Sequence, residues 1–218
     1  MPADWRKDFK DLYFPPTSKV VEVVVPQLRF LTIEGQGDPN SSKEFQRAIE
    51  ALYSISYTLK FTIKKQDASK DFRVGPLEGL WWNTEEGELV QGKKSDWAWK
   101  AMILLPSSIE EGSVEGAREA AMGKKDNPSL NKVVLEDLEE GRSAQITHVG
   151  PWSAEAESIN RVKDFIKEKG GVPRGKHHEI YMSDPRRVAP EKLKTVIRQP
   201  FGNSINIAPR RTFVGSKG

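Results

Sequence analysis

The feature that most constrains this chain is an internal repetition: the order strand, helix, strand, strand is read twice along its 218 residues. In the first half it runs through Ile33-Glu34-Gly35, a helix, Leu77-Glu78-Gly79-Leu80-Trp81 and Met102-Ile103-Leu104-Leu105-Pro106. In the second it runs through His148-Val149-Gly150, a helix, His178-Glu179-Ile180-Tyr181 and Val196-Ile197-Arg198-Gln199-Pro200. Three strands and one helix cannot close a core alone, so the two units are expected to pack as a pseudo-twofold pair. The expected fold class is α+β, a tandem strand-helix-strand-strand repeat with antiparallel sheets and helices around a central ligand pocket. A single domain over residues 1–201 follows, made of repeats at about 19–106 and 134–201, with 202–218 as a C-terminal tail. In this alignment Glu78 and Glu179 take matching places, and the space between matching sheets is where a ligand is expected.

Local patterns supply the elements. Residues 19–33 are rich in β-branched side chains and interrupted by Pro26, which predicts two short strands or an edge segment followed by a strand. Asn40-Ser41-Ser42-Lys43-Glu44 predicts a helix starting near Ser41 or Ser42. Within it Phe45, Ala48, Ile49 and Leu52 keep helical spacing, while Tyr53, Tyr57 and Phe61 recur every fourth residue and make one side aromatic. Residues 72–82 and 95–106 read as antiparallel strands, joined through the acidic Glu85-Glu86-Gly87-Glu88. Residues 113–125 read as a polar helix, and 132–138 as a further strand or a linker. Residues 142–152 read as strand then turn, 154–169 as a helix closed by Gly170-Gly171, and 178–182 and 193–198 as strands.

Charge and composition close off several functions. Lys and Arg number 34 against 31 Asp and Glu, for a net charge of +3, and mean hydropathy is −0.59. No apolar run approaches the roughly 18 residues of a spanning helix, and the charged N-terminus does not resemble a signal peptide, so a cytoplasmic protein without membrane contact is expected. The absence of cysteine excludes disulfides, thiolate zinc sites and a cysteine nucleophile. Residues 176–218 carry nine Lys and Arg against three Asp and Glu, so the basicity is C-terminal. No recognition helix, zinc-finger spacing or aromatic-basic repeat accompanies it, and nucleic acid is not expected as a direct partner. His148, His177 and His178 lack metal-ligand spacing, and Gly35-Gln36-Gly37 lacks the third glycine of a dinucleotide turn. Neither a metal nor another cofactor is expected, and the chain should be a monomer or a weak dimer.

The candidate chemistry lies on the strand at 178–182. Alternation puts Ile180 and Met182 on one face and Glu179, Tyr181 and Ser183 on the other. That sets a carboxylate beside a phenol, a pairing able to act as base and hydrogen-bond donor, although any half-buried strand alternates in this way. Five of the six tryptophans, Trp81, Trp82, Trp97, Trp99 and Trp152, fall on strands or turns that should border the pocket. Trp81 and Trp82 must point to opposite faces, while Trp97 and Trp99 share one. An aromatic cavity with carboxylates suits a flat, hydrophobic small molecule, and core filling is the competing role for the indoles.

The strings Gly35-Gln36-Gly37-Asp38-Pro39-Asn40, Ala51 to Lys60, Pro76-Leu77-Glu78-Gly79-Leu80-Trp81-Trp82, His148-Val149-Gly150-Pro151 and His178 to Arg187 resemble the GyrI-like small-molecule-binding family. More narrowly, they are similar to its stand-alone bacterial branch of cyclopropanoid cyclopropyl hydrolases, over residues 8–201. The resemblance implies the twofold fold and a central pocket like that of the effector domains of multidrug-sensing regulators. It also implies water addition to the strained cyclopropane of duocarmycin- and yatakemycin-type DNA alkylators, without a cofactor. Glu179 would then deprotonate water, and Tyr181 would hold that water or the carboxylate. Tyr53, Tyr57, His148 or a bound water are candidate donors to the phenolate that ring opening creates. Glu78 and the five indoles would line the ligand. A drug-sequestering or ligand-sensing module without turnover, or a topoisomerase-inhibitor-like protein, fits the same pocket.

Overall fold

The computed structural model describes residues 3–83, 97–124 and 126–203. The acidic connection at 85–88 and the tail from residue 204 onward lie outside the described residues. Two one-turn helices, α1 (Trp5–Asp8) and α2 (Lys10–Tyr13), precede the first repeat. That repeat comprises β1 (Val21–Gln36), α3 (Lys43–Gln66), β2 (Leu77–Asn83) and β3 (Trp97–Leu105). Helix α4 (Glu111–Met122) and a 3-10 turn at Pro128–Lys132 bridge to the second repeat. It comprises β4 (Val134–Val149), α5 (Ala156–Glu168), β5 (Gly171–Pro173), β6 (His177–Tyr181) and β7 (Lys194–Asn203).

The doubled order of the sequence is therefore present, but the two units do not make two separate sheets. They share one antiparallel sheet in the order β4-β1-β3-β2-β6-β7-β5, and a further β4–β7 pairing closes six of those strands into a barrel. The repeats meet where β1 pairs with β4 and where β2 pairs with β6. Closure removes the exposed edges that each unit alone would have.

Alternation along the strands divides side chains between the barrel interior and its outside. The interior holds Val25, Leu28, Phe30, Met102, Leu104, Ile180 and Val196, with Leu12 and Tyr13 of α2 packed among them. Outside, α3 and α4 cover Leu31, Ile33, Trp99, Ala101 and Ile103, and α5 covers Ala144, Ile146, Ile197 and Phe201. Helix α3 starts where the Ser42 side chain accepts a hydrogen bond from the Phe45 N–H at 3.1 Å. From there Phe45, Ala48, Ala51, Leu52, Ile55 and Leu59 form the buried stripe.

Several boundaries differ from the local reading. β1 is one 16-residue strand running through Pro26. Pairing with β4 skips Pro26 and pairing with β3 begins only at Arg29, so the missing N–H interrupts no established ladder. Likewise β4 runs unbroken from Val134, absorbing the segment read as strand or linker, with Gly141 at positive φ (63°) allowing a twist within it. Gly170 (φ 66°) ends α5 as expected, but Gly171 begins β5. β7 extends to Asn203, paired with Gly171, so the first two residues of the expected tail belong to the sheet.

Candidate functional site

Register decides which polar residues meet. Glu179 lies opposite Gly79, and Tyr181 opposite Leu77, all on the outer face of the barrel. Trp81 lies opposite both His177 and Trp99 on that same face. The Tyr181 hydroxyl donates to Glu179 Oε2 at 2.8 Å, and the Trp81 indole N–H donates to the Tyr181 oxygen at 3.1 Å. On the other carboxylate oxygen, Oε1, the His177 Nε2–H donates at 3.1 Å. The result is a chain, Trp81 to Tyr181 to Glu179, with His177 on the far side. Glu179 keeps 14% of its side-chain surface exposed, and among the described residues no Lys or Arg comes within ion-pair distance of it.

Burial pushes the Tyr181 phenol well above its usual range, and the Glu179 carboxylate beside it and the buried Glu155 push in the same direction. Tyr181 therefore remains a proton-bearing donor at neutral pH. Gly79 is required for this geometry: a Cβ there would stand 2.8 Å from Trp81 Nε1, so the indole lies across a position without a side chain.

Two aromatic groups border the chain. Trp152, on the turn before α5, packs edge-on against Tyr181 with ring centroids 5.8 Å apart and remains 42% exposed. From α3, Tyr53 reaches the backbone of Leu77, the cross-strand neighbour of Tyr181, and burial with Tyr57 nearby raises its phenol to about 12. Tyr53, Tyr57 and Phe61 stack in sequence at 6.2 Å, and Tyr57 and Phe61 are exposed. This is the aromatic side expected from the four-residue spacing.

The other sequence candidates go elsewhere. Glu78 lies opposite Ile180, inside the barrel, fully buried and bound by the Tyr13 hydroxyl at 2.6 Å and by His178 at 3.0 Å. A twofold between antiparallel neighbours keeps each face of the sheet to itself, so Glu78 and Glu179, on opposite faces, are not symmetry mates. Trp82 points inward, where Lys176 Nζ stands 3.3 Å from its ring centroid. Trp99 is completely buried, edge-on to Phe45 at 4.9 Å, and is core. Trp81 is also buried, but its N–H belongs to the polar chain, and Trp97 packs against it at 5.8 Å. His148 has both ring nitrogens engaged, with Ser158 at 3.0 Å and the Pro151 carbonyl at 3.3 Å, tying β4 to α5.

Two residues of the cluster escaped the sequence reading. His177 carried a usable signal, since it stands two before Glu179 and alternation puts both on one face. Glu155 carried none, because its approach to Tyr181 comes from the turn before α5, a separate element. Among the described residues no three His, Asp or Glu side chains gather as a metal site would require, and no helix is long and apolar enough to cross a membrane.

Comparison with known proteins bears on this geometry. No curated protein sequence matches the chain. Three crystal structures from Listeria innocua do. An uncharacterized conserved protein is 37% identical with TM-score 0.84, over 92% of this chain and 100% of that one. A hydrolase is 35% identical with TM-score 0.80, again over 92% and 100%. A second hydrolase structure is 36% identical with TM-score 0.82, over 93% and 100%. The C-terminal domain of EcmrR, at 10% identity and TM-score 0.51 over 85% and 98%, shares the fold alone. The family model for the GyrI-like small molecule binding domain matches residues 18–201, which reach from before β1 into β7, and this chain belongs to that family.

Proposed function

We propose that this protein is a cofactor-free hydrolase that opens the cyclopropane of duocarmycin- and yatakemycin-type alkylators by adding water. The observation that carries the reading is the Tyr181–Glu179 hydrogen bond of 2.8 Å on a partly exposed carboxylate bordered by aromatic rings. Two relatives at 35–36% identity that are described as hydrolases favour the same class of reaction.

In this mechanism Glu179, held by its direct hydrogen bond from Tyr181, takes a proton from a water at its exposed edge while the water oxygen attacks the cyclopropane methylene. The breaking ring bond sends its electron pair into the conjugated dienone, which becomes a phenolate and then collects a proton, so the net change is the gain of one water. Tyr181, kept protonated, orients the carboxylate or the water, and the Trp81 N–H and His177 hold the pair in register. Trp152 and the Tyr53–Tyr57 ladder offer flat surfaces on which a planar polycyclic substrate stacks. Tyr53, which reaches the Leu77 backbone, and its neighbour Tyr57 are the phenols that could donate to the developing oxyanion, whereas His148 has both ring nitrogens engaged.

The test is incubation with a cyclopropane-indole alkylator and mass spectrometry for the product gained by one water. Wild-type protein should form it, and Glu179→Gln should lose at least about a hundredfold in turnover with an unchanged melting temperature, since the amide keeps its shape but cannot accept the proton. Tight binding without product in the wild type would instead establish a sequestering role. Turnover by Glu179→Gln within a few-fold of wild type would remove Glu179 as the base.

A further inference from the structure

The barrel interior contains a cavity that the outer-face chemistry does not use. Its volume is about 320 Å³, at the small end of the range of ligand pockets. Its wall is apolar, from Val25, Leu28, Phe30, Leu80, Met102 and Leu138. It lies on the opposite face of the sheet from Glu179, because Leu80 alternates with Trp81 and Gly79 along β2.

The charges around it are unequal in their pairing. Lys100 is held by Glu136 at 2.6 Å and by Glu34 at 3.1 Å. His178 lies between Glu78 and Glu140, and Arg198 is bound to Glu140, Gln145 and the Leu12 carbonyl. Two cations on the lining have no carboxylate in direct contact among the described residues. Lys176 is half-buried against the Trp82 ring and has no carboxylate within 4 Å among the described residues. Among the described residues Arg174, at the mouth, donates only to the backbone carbonyls of Glu140 and Phe201. The remaining acid on the lining, Glu139, is exposed. Glu34 and Glu136 act on Lys176 only from a distance, both being paired with Lys100; a partly desolvated ammonium without a direct counter-ion is costly, and an anion entering the cavity would reduce that cost.

We propose that the barrel interior is a second small-molecule site, separate from the Glu179 cluster, that takes a small amphipathic carboxylate. Its apolar chain lies along the wall of Leu28, Phe30, Leu80 and Met102, and its carboxylate pairs with Lys176 and Arg174 at the mouth. Trp82, which takes no part in the outer cluster, covers the Lys176 side of this site. The inference does not depend on the hydrolase reading.

Octanoate is the probe, titrated into the full chain by calorimetry, with octylammonium as a control of equal tail and opposite charge. Octanoate should bind saturably and octylammonium should not. Lys176→Gln should weaken octanoate about tenfold or more, the loss expected for one charge-assisted hydrogen bond. Arg174→Gln, an exposed substitution, should weaken it in the same direction and keeps the test open if the Lys176 variant folds poorly. Glu179→Gln and Trp152→Ala should leave octanoate affinity unchanged. No octanoate binding, equal binding of octylammonium, or loss of octanoate binding in Trp152→Ala would overturn the proposal; the last would place the probe in the outer cluster.

Discussion

At the scale of single residues, the tryptophans separate into two roles that their spacing did not distinguish. Trp99 is wholly buried against Phe45 and would leave a large void. Trp99→Ala is expected to cost about 3–5 kcal/mol of stability, seen as a sharp fall in melting temperature. Trp152, 42% exposed and in contact with Tyr181, should behave in the opposite way. Trp152→Ala should weaken binding of a planar ligand several-fold and hardly move the melting temperature, read by fluorescence titration beside a thermal melt. A stable Trp99→Ala protein with lost affinity would return that indole to the binding surface.

At the scale of elements, β2 and β6 build the outer cluster through their pairing. Gly79 faces Glu179 and gives the Trp81 indole its path to Tyr181. Gly79→Ala should therefore cost about 1–3 kcal/mol by overpacking and slow the proposed ring opening beyond what unfolding explains. Turnover unchanged in that variant would mean that the Trp81–Tyr181 bond does not support catalysis. Most elements were legible from residue patterns, including the Ser42 cap and the alternation that puts Glu179 with Tyr181. The long strands were not. Pro26 reads as a break wherever it stands in a sequence, and only the neighbours of β1 show that no ladder is interrupted there.

At the scale of the whole molecule, a buried network ties α2, β2, β4, β6 and β7 together. It runs from Tyr13 through Glu78, His178 and Glu140 to Arg198. Burial opposes the charged form of His178, but Glu140 and Glu78 outweigh it and raise the imidazole to about 9. Burial also works against Glu140, yet His178 and Arg198 hold its carboxyl down at about 2. A raised pKa contributes stability that is whole below the unfolded value of 6.5 and fades as pH rises through about 9. A lowered one contributes above 4.5 and fades as pH falls toward 2. Melting temperature should thus be highest between pH 4.5 and 6.5 and decline on the alkaline side as His178 loses its proton. Glu78→Gln should cost about 3 kcal/mol with little change in turnover, because it leaves a buried imidazolium short of a counter-charge. His178→Gln should flatten the alkaline decline. A decline of equal size in that variant would place the titrating group elsewhere.

The sequence alone determined the α+β class, the doubled strand-helix-strand-strand order and the pairing of Glu179 with Tyr181. These follow from local periodicity and from a repeat that any reading of the chain contains. What only the tertiary structure decided was the joining of the repeats into a closed barrel, and with it the difference between Glu78 and Glu179. Strand periodicity assigns a residue to one of two faces, but which face becomes interior is set by the register between strands distant in sequence. A shift of one residue exchanges the faces. That register placed Glu78, His178 and Trp82 inside the barrel and left Glu179, Tyr181 and Trp81 outside.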